Sequence, residues 1–410
     1  MNEKPVFAYP LFAGGHKAFF LLAGLFALGL AAVWNAVSRG GLHLSLYYPV
    51  DQWHSHELVL GYAAAAASGL LFYFLGKQPG GGVCADRVAS LSLLWLYGRL
   101  TPFYAGLLPA PLIALVDWLY LPALTALYAK ALWRSTDVGG RALPLLLAAF
   151  SAANGLWHAE LLGWLRLDGL GQKLAVALWA IGGLGWLGRV LPNYTERTLG
   201  GAMCLRNPAF EWVNLGLSAA ALGAWLVLGA GPWLGALAAA AALSNVGRLA
   251  GWFDSRVVYL PLLWVLFSGY LWLSLGFGFL AGGGFAASEF ASALATPAFT
   301  IGGLGLLSIG LMARLSLSLG GRSLRAPAYL SWAFGLLNVS VLALVCPLPP
   351  FWLDAARYIA VYAWLTAFAL FVYGFWPLWL ASSPSGASYE IPEIREIRPR
   401  SGGGRISRRN

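Results

Sequence analysis

From residue 51 to residue 57 the chain reads Asp-Gln-Trp-His-Ser-His-Glu, a run that holds two imidazoles and two carboxylates. Neutral imidazole is a good ligand for haem iron and for copper, so this run is the first place to look for a cofactor. Asp51 suits a helix N-cap. If a helix starts there, His54 and Glu57 share a face with Gly61 and Ser68. His56 then lies about 200° away from His54, and the two rings cannot reach one metal. If the segment is extended, alternate residues face the same way and they can. His158, with Asn154 one turn before it, lies in a later apolar run at the same depth and on the same side as His54 and His56. Two histidines from different helices make the simplest axial pair for an iron. The competing reading is that these rings hydrogen-bond neighbouring helices and fix packing.

Other ionisable residues stand within or near apolar runs. Arg99 and Asp117 fall on consecutive runs at comparable depth and are expected to form an ion pair, either as a brace or as part of a ligand or proton path. Glu57 and Glu160 are the other carboxylates in this zone. Arg189, Arg248 and Arg314 are expected at the inner ends of three helices, where cations complement helix C-termini and headgroups, or hold an anion such as haem propionate. His43, in an outer loop, and His16, at the inner membrane entrance, are read as carrying no chemistry. Cys84, Cys204 and Cys346 are isolated, which argues against a disulfide framework and against a Cys-based metal site. No Ser-His-Asp or HExxH pattern falls in a span, so a hydrolase is not indicated.

These groups must be positioned by helices in lipid. Of 410 residues, 59% are hydrophobic and 10% charged, whereas soluble domains carry roughly 25% charged residues. Runs able to cross about 30 Å of hydrocarbon fall near 18–38, 58–76, 88–108, 112–132, 143–165, 173–190, 211–229, 232–250, 258–280, 293–313, 327–347 and 357–381. Backbone groups in lipid must be satisfied within each segment, so the fold class is an all-α polytopic bundle of about twelve spans. The first run exceeds a signal-peptide core of roughly 7–15 residues and reads as a retained span. All Lys and Arg except Arg39, Arg99, Arg166, Lys173 and Arg357 fall on the side of the two termini. The positive-inside rule therefore puts both termini in the cytoplasm. The net charge of +10 is an orientation signal here, and no nucleic-acid partner is indicated. Residues 1–381 are expected to form the transmembrane domain. Residues 382–410, rich in Arg, Pro, Ser and Gly, read as a basic disordered cytoplasmic tail.

Trp53-His-Ser-His-Glu57 running into Leu58-Val-Leu-Gly-Tyr-Ala63 resembles the WHxHE signature of the NnrS family. Gly15-His-Lys-Ala-Phe-Phe20, Asn154 with His158, Gly188-Arg-Val-Leu-Pro-Asn-Tyr-Thr195, Leu262-Leu-Trp-Val-Leu266, and Met312-Ala-Arg314 followed by Gly321-Arg322 match further family segments in order. The resemblance implies a twelve-helix protein of the bacterial cytoplasmic membrane that contains haem and copper and serves the response to nitric oxide and nitrosative stress. It makes His54, His56 and His158 the candidate ligands. Where the family typically carries further histidines, this chain has Phe267, the neighbourhood of Pro297, and Leu319. Fewer cofactors than in relatives are therefore expected. The rival reading is a small-molecule transporter, with Gly-rich segments and a central aqueous cavity lined by Arg99 and Asp117.

Overall fold

The computed structural model describes residues 9–76, 83–134 and 138–381. The proposed tail at 382–410 lies outside them. Twelve helical segments follow in chain order among the described residues: α1 (His16–Ser38), α2 (Val50–Leu75), α3 (Ala85–Leu100), α4 (Ala110–Trp133), α5 (Val138–Leu161), α6 (Leu170–Leu199), α7 (Pro208–Val227), α8 (Pro232–Trp252), α9 (Pro261–Phe285), α10 (Glu289–Leu319), α11 (Ala328–Val345) and α12 (Leu353–Leu380). Among the described residues there is no strand. The chain is an all-α polytopic bundle.

Local sequence sets many boundaries. Proline at the first helical turn starts α7, α8 and α9, where its missing N–H costs nothing. The Asn207 side chain caps α7 by accepting from the amides of Ala209 and Phe210 at 3.0 and 3.2 Å. Eleven of the spans are long and apolar enough to cross a bilayer; α3 is the exception. Its α-helix stops at Leu100 and continues as a 3-10 turn over Thr101–Tyr104. Pro102, which has no N–H to donate, stands at the start of that turn. The predicted run at 88–108 is thus shorter as a regular helix.

The largest departure from hydropathy is α2, which starts at Val50 instead of near 58. Pro49 provides the N-cap position, Asp51 sits in the first turn, and the polar run is folded into the helix. α6 runs on to Leu199, α8 to Trp252 and α10 to Leu319. Arg189, Arg248 and Arg314 therefore do not end their helices as expected. The helices continue past them by one to three turns, to Leu199, Trp252 and Leu319.

Two spans occupy the centre. In α2 and α10, 78% of the central apolar window is buried, against 33–39% for most others. Each carries a π-helical stretch: Glu57–Tyr62 in α2 and Ala298–Gly305 in α10. A π-turn widens the helix and disturbs its regular carbonyl pattern. In α2 this coincides with two indole donors from neighbouring helices. Trp179 Nε1 donates to the Val59 carbonyl at 2.9 Å and Trp95 Nε1 to the Gly61 carbonyl at 3.1 Å. Tyr62 and Ser308 link the two central spans through their hydroxyls. At the periphery, α1 and α12 close the bundle. Trp364 Nε1 donates to the Ala27 carbonyl at 3.1 Å, and Lys17 Nζ to the Ala381 carbonyl at 2.7 Å.

Candidate metal centre

Because α2 is helical from Val50, the two histidines of the motif diverge, as the 100° step per residue requires. His56 turns inward and is fully buried; His54 turns towards α1. α5 brings His158 to His56 with ring centroids 5.7 Å apart. α4 contributes Asp117 between them. Its Oδ2 lies 2.8 Å from His158 Nε2 and 3.3 Å from His56 Nε2. Ligand atoms of His56, Asp117 and His158 all lie within 4.8 Å of one another. Asn154, one turn before His158, donates from Nδ2 to Asp117 Oδ2 at 3.1 Å. Its Oδ1 accepts from His56 Nε2–H at 3.0 Å.

A second ring of groups surrounds these. Arg99 from α3 contacts Asp117 Oδ1 directly, and its Nε lies 3.2 Å from Glu57 Oε2. The expected ion pair of Arg99 and Asp117 is present, and Glu57 shares the guanidinium. Glu57 Oε1 is 3.5 Å from His56 Nδ1. Close approach is possible because residue 61 is Gly: a Cβ there would stand 2.5 Å from Glu57 Oε2 and 3.1 Å from an Arg99 nitrogen. Arg99, Glu57 and Asp117 are 5%, 1% and 2% exposed, so their charges meet one another and not solvent.

Two tyrosines from the connection before α2 lid the cluster. The Tyr47 hydroxyl is 3.3 Å from His158 Nδ1, and the Tyr48 hydroxyl is 3.4 Å from His56 Nε2. Burial pushes the Tyr47 phenol up to about 12, and Tyr48 is raised as well, by burial and then by the nearby Glu57 carboxylate. Both phenols are therefore neutral at ordinary pH. Sequence reasoning missed both, although their signal was visible: Tyr-Tyr-Pro directly precedes the motif, and Pro49 turns the chain back over the helix start. Trp157, edge-on to His56 at 4.9 Å, was also missed.

His54 belongs to a different place. Its ring stacks on Trp34 of α1, with centroids 4.4 Å apart and planes 17° from parallel. Its Nδ1 is buried with no hydrogen-bond partner. It faces a cavity of about 500 Å3 between the outer-side ends of α1, α11 and α12, whose lining also includes Trp34, Arg39, Arg357, Tyr358 and Trp364. Arg39 lies 4.1 Å over the Tyr358 ring.

The remaining candidates are placed elsewhere. Glu160 accepts from the Gly169 amide at 3.0 and 3.1 Å and ties the loop after α5. Arg248 pairs with Glu211 and donates to the Leu184 carbonyl, Asn214 and Tyr270. Arg314 lies 4.1 Å over the Tyr194 ring. The Arg189 carbonyl accepts from Asn193. Phe267, where the family resemblance led to an expectation of histidine, packs edge-on against Phe253 at 5.9 Å.

A donor set that includes two imidazoles suits a transition metal such as copper, zinc or iron. Metal ligation at both Nε2 atoms leaves an N–H at each Nδ1, and each Nδ1 already faces an acceptor: Tyr47 oxygen for His158, Glu57 for His56. Such outer partners orient ligating histidines. His56 Nδ1 has no hydrogen bond, and its Nε2–H is committed to Asn154.

No curated protein and no solved structure matches the chain. The family model described as NnrS protein matches residues 10–382, nearly the whole membrane bundle and all of the residues above. The chain belongs to the NnrS family.

Proposed function

We propose that this chain is a metal- and haem-binding protein of the bacterial cytoplasmic membrane that acts in the response to nitric oxide and nitrosative stress. The observation that carries the reading is the buried His56–Asp117–His158 group, with both Nδ1 atoms aimed at outer acceptors. His56, Asp117 and His158 would hold a copper-type ion. The space between the two imidazoles is filled by the Asp117 and Asn154 side chains, so a macrocycle does not fit there. The haem reading is supported at His54 instead. That cavity falls within the range of roughly 300–1,000 Å3 typical of ligand sites. Its lining holds the His54 imidazole, whose Nδ1 has no partner, with an indole packed on the ring, and Arg39 to meet a carboxylate; Arg357 is paired with Asp354 at 3.1 Å. When bound, haem iron or copper would supply a metal centre that nitric oxide can ligate.

The chain's own residues orient and seal. Glu57 and Tyr47 fix the imidazoles, Arg99 holds Asp117, and Tyr48 excludes water from above. The transporter reading required Arg99 and Asp117 to line an aqueous cavity, but they are closed on each other in the interior. The test is metal analysis and optical spectroscopy of detergent-purified protein, with and without nitric oxide. A Soret band lost in His54→Ala, with copper lost in His56→Ala, is the expected result. Protein expressed with haem and copper supplied that contains neither iron nor copper would overturn the proposal.

A further inference from the structure

The charges around the candidate ion centre do not cancel. Asp117 and Glu57 share the single guanidinium of Arg99, at direct contact and 3.2 Å. Among the described residues, the ion pairs of these three groups are otherwise with the imidazoles of His56 and His158. With both imidazoles neutral, as ligation demands, the cluster carries one net negative charge. All five side chains are at most 5% exposed. A buried charge without a counter-charge is costly, and so is an excess of the opposite sign.

We propose that this centre takes a monovalent soft cation, a cuprous ion, in preference to any divalent metal, because Arg99 already neutralises one of the two carboxylates. The inference rests on the metal reading above and deepens it. One added positive charge makes the cluster neutral; a cupric or zinc ion leaves it at plus one. Alkali cations, the other monovalent choice, favour oxygen ligands, whereas two imidazole nitrogens suit copper. Glu57 makes no bond to the ion itself in this scheme. It pairs with the Nδ1–H of His56 and supplies the negative charge that Arg99 leaves over. Arg99 is a valence filter, and its loss turns a site of charge minus one into a site of charge minus two.

The test uses full-length protein in detergent, loaded anaerobically with copper(I) in one series and with zinc(II) or copper(II) in another. Metal retained after gel filtration is measured by mass spectrometry, and copper valence by electron paramagnetic resonance. Wild type is expected to retain copper(I), to stay silent in the resonance spectrum, and to lose zinc. Arg99→Gln is expected to move the preference towards divalent ions by on the order of a hundredfold, the effect of one charge a few ångströms away at an effective dielectric near 20. Arg99→Lys keeps the charge and is expected to keep the wild-type preference. If Arg99→Gln does not fold, Glu57→Gln serves, with an expected loss of affinity for copper(I) and still less retention of zinc. Wild-type protein that holds copper(II) with a full resonance signal, or holds zinc as well as copper(I), overturns the valence proposal and leaves the metal reading standing. Retention of no metal at His56–Asp117–His158 in either series overturns both.

Discussion

His56 and His158 bring Nε2 to 3.3 and 2.8 Å from the same carboxylate oxygen, and this convergence gives the cluster its chemistry. A lone imidazole hydrogen-bonded to an Asp is an ordinary packing device. Two from separate helices beside one oxygen, one with Nδ1 hydrogen-bonded to Tyr47 and the other with Nδ1 3.5 Å from Glu57, make a preformed ligand set. Tyr47 tests that distinction. Tyr47→Phe removes the oxygen 3.3 Å from His158 Nδ1 while keeping the ring. Outer partners of ligating histidines are worth about 10–100-fold in metal affinity, so copper affinity by competition with a chelator is expected to fall in that range. The fold is expected to survive, which circular dichroism checks. An unchanged affinity would reduce Tyr47 to a packing residue. The His54→Ala variant separates the two places on α2: copper content at the His56 centre should match wild type, because the two rings point to different neighbours.

Within this cluster some relations can be read from the sequence and some cannot. The motif itself, Asn154 with His158 on one face, and the Arg99–Asp117 pair follow from helical spacing and depth. The divergence of His54 and His56 depends on whether residues 50–57 are helical, and hydropathy does not register a polar turn that is buried by other helices. The role of Tyr47 and Tyr48 depends on a loop folding back, a relation between residues with no period to betray it. Asp117 reads as the partner of Arg99 because charge is visible in a sequence, whereas the neutral imidazoles that share it come from helices whose rotation is not.

At the scale of elements, the π-turn of α2 decides which groups meet. Glu57 starts the widened stretch and Gly61 lies within it. The missing side chain at 61 lets the Arg99 guanidinium of α3 come down beside Glu57. Trp95, one turn before Arg99 on α3, fastens the same point by donating to the Gly61 carbonyl. An added methyl has nowhere to go: Phe26 of α1 would stand 2.8 Å away on another side. Overpacking of this kind costs about 1–3 kcal/mol. Gly61→Ala is expected to lower the midpoint of thermal unfolding in detergent and to reduce copper retention together, since the same pair of helices would part. A fully stable Gly61→Ala that binds copper normally would mean that α3 and α2 approach less closely than this. Boundaries of such elements were legible where Pro or Asn caps them, as at α7, and blurred at α2 and α6, where polar residues continue a helix.

At the scale of the whole molecule the open question is α3, and parity answers it. The helix of Ala85–Leu100 has 16 residues, about 24 Å at 1.5 Å per residue. The 3-10 turn of Thr101–Tyr104 adds about 8 Å at 2.0 Å per residue, which together just spans a core of about 30 Å. Arg99 does not forbid a crossing, because its charge is met inside the protein by Glu57 and Asp117. Two exposed cysteines, Cys84 before α3 and Cys346 after α11, bracket the question. If every helix from α3 to α11 crosses, the number of crossings is odd and the two thiols lie on opposite sides. If α3 only dips in, they lie on the same side. With α3 crossing and the basic loops in the cytoplasm, Cys346 faces out and Cys84 faces in. Intact cells carrying Cys346 as the sole cysteine (Cys84→Ser, Cys204→Ser) are expected to react with a membrane-impermeant maleimide. Cells carrying only Cys84 are expected to react after permeabilisation alone. Equal labelling of both from outside would take α3 out of the set of spans, reverse the depth assigned to Arg99, and force the metal cluster to be reached from the other face.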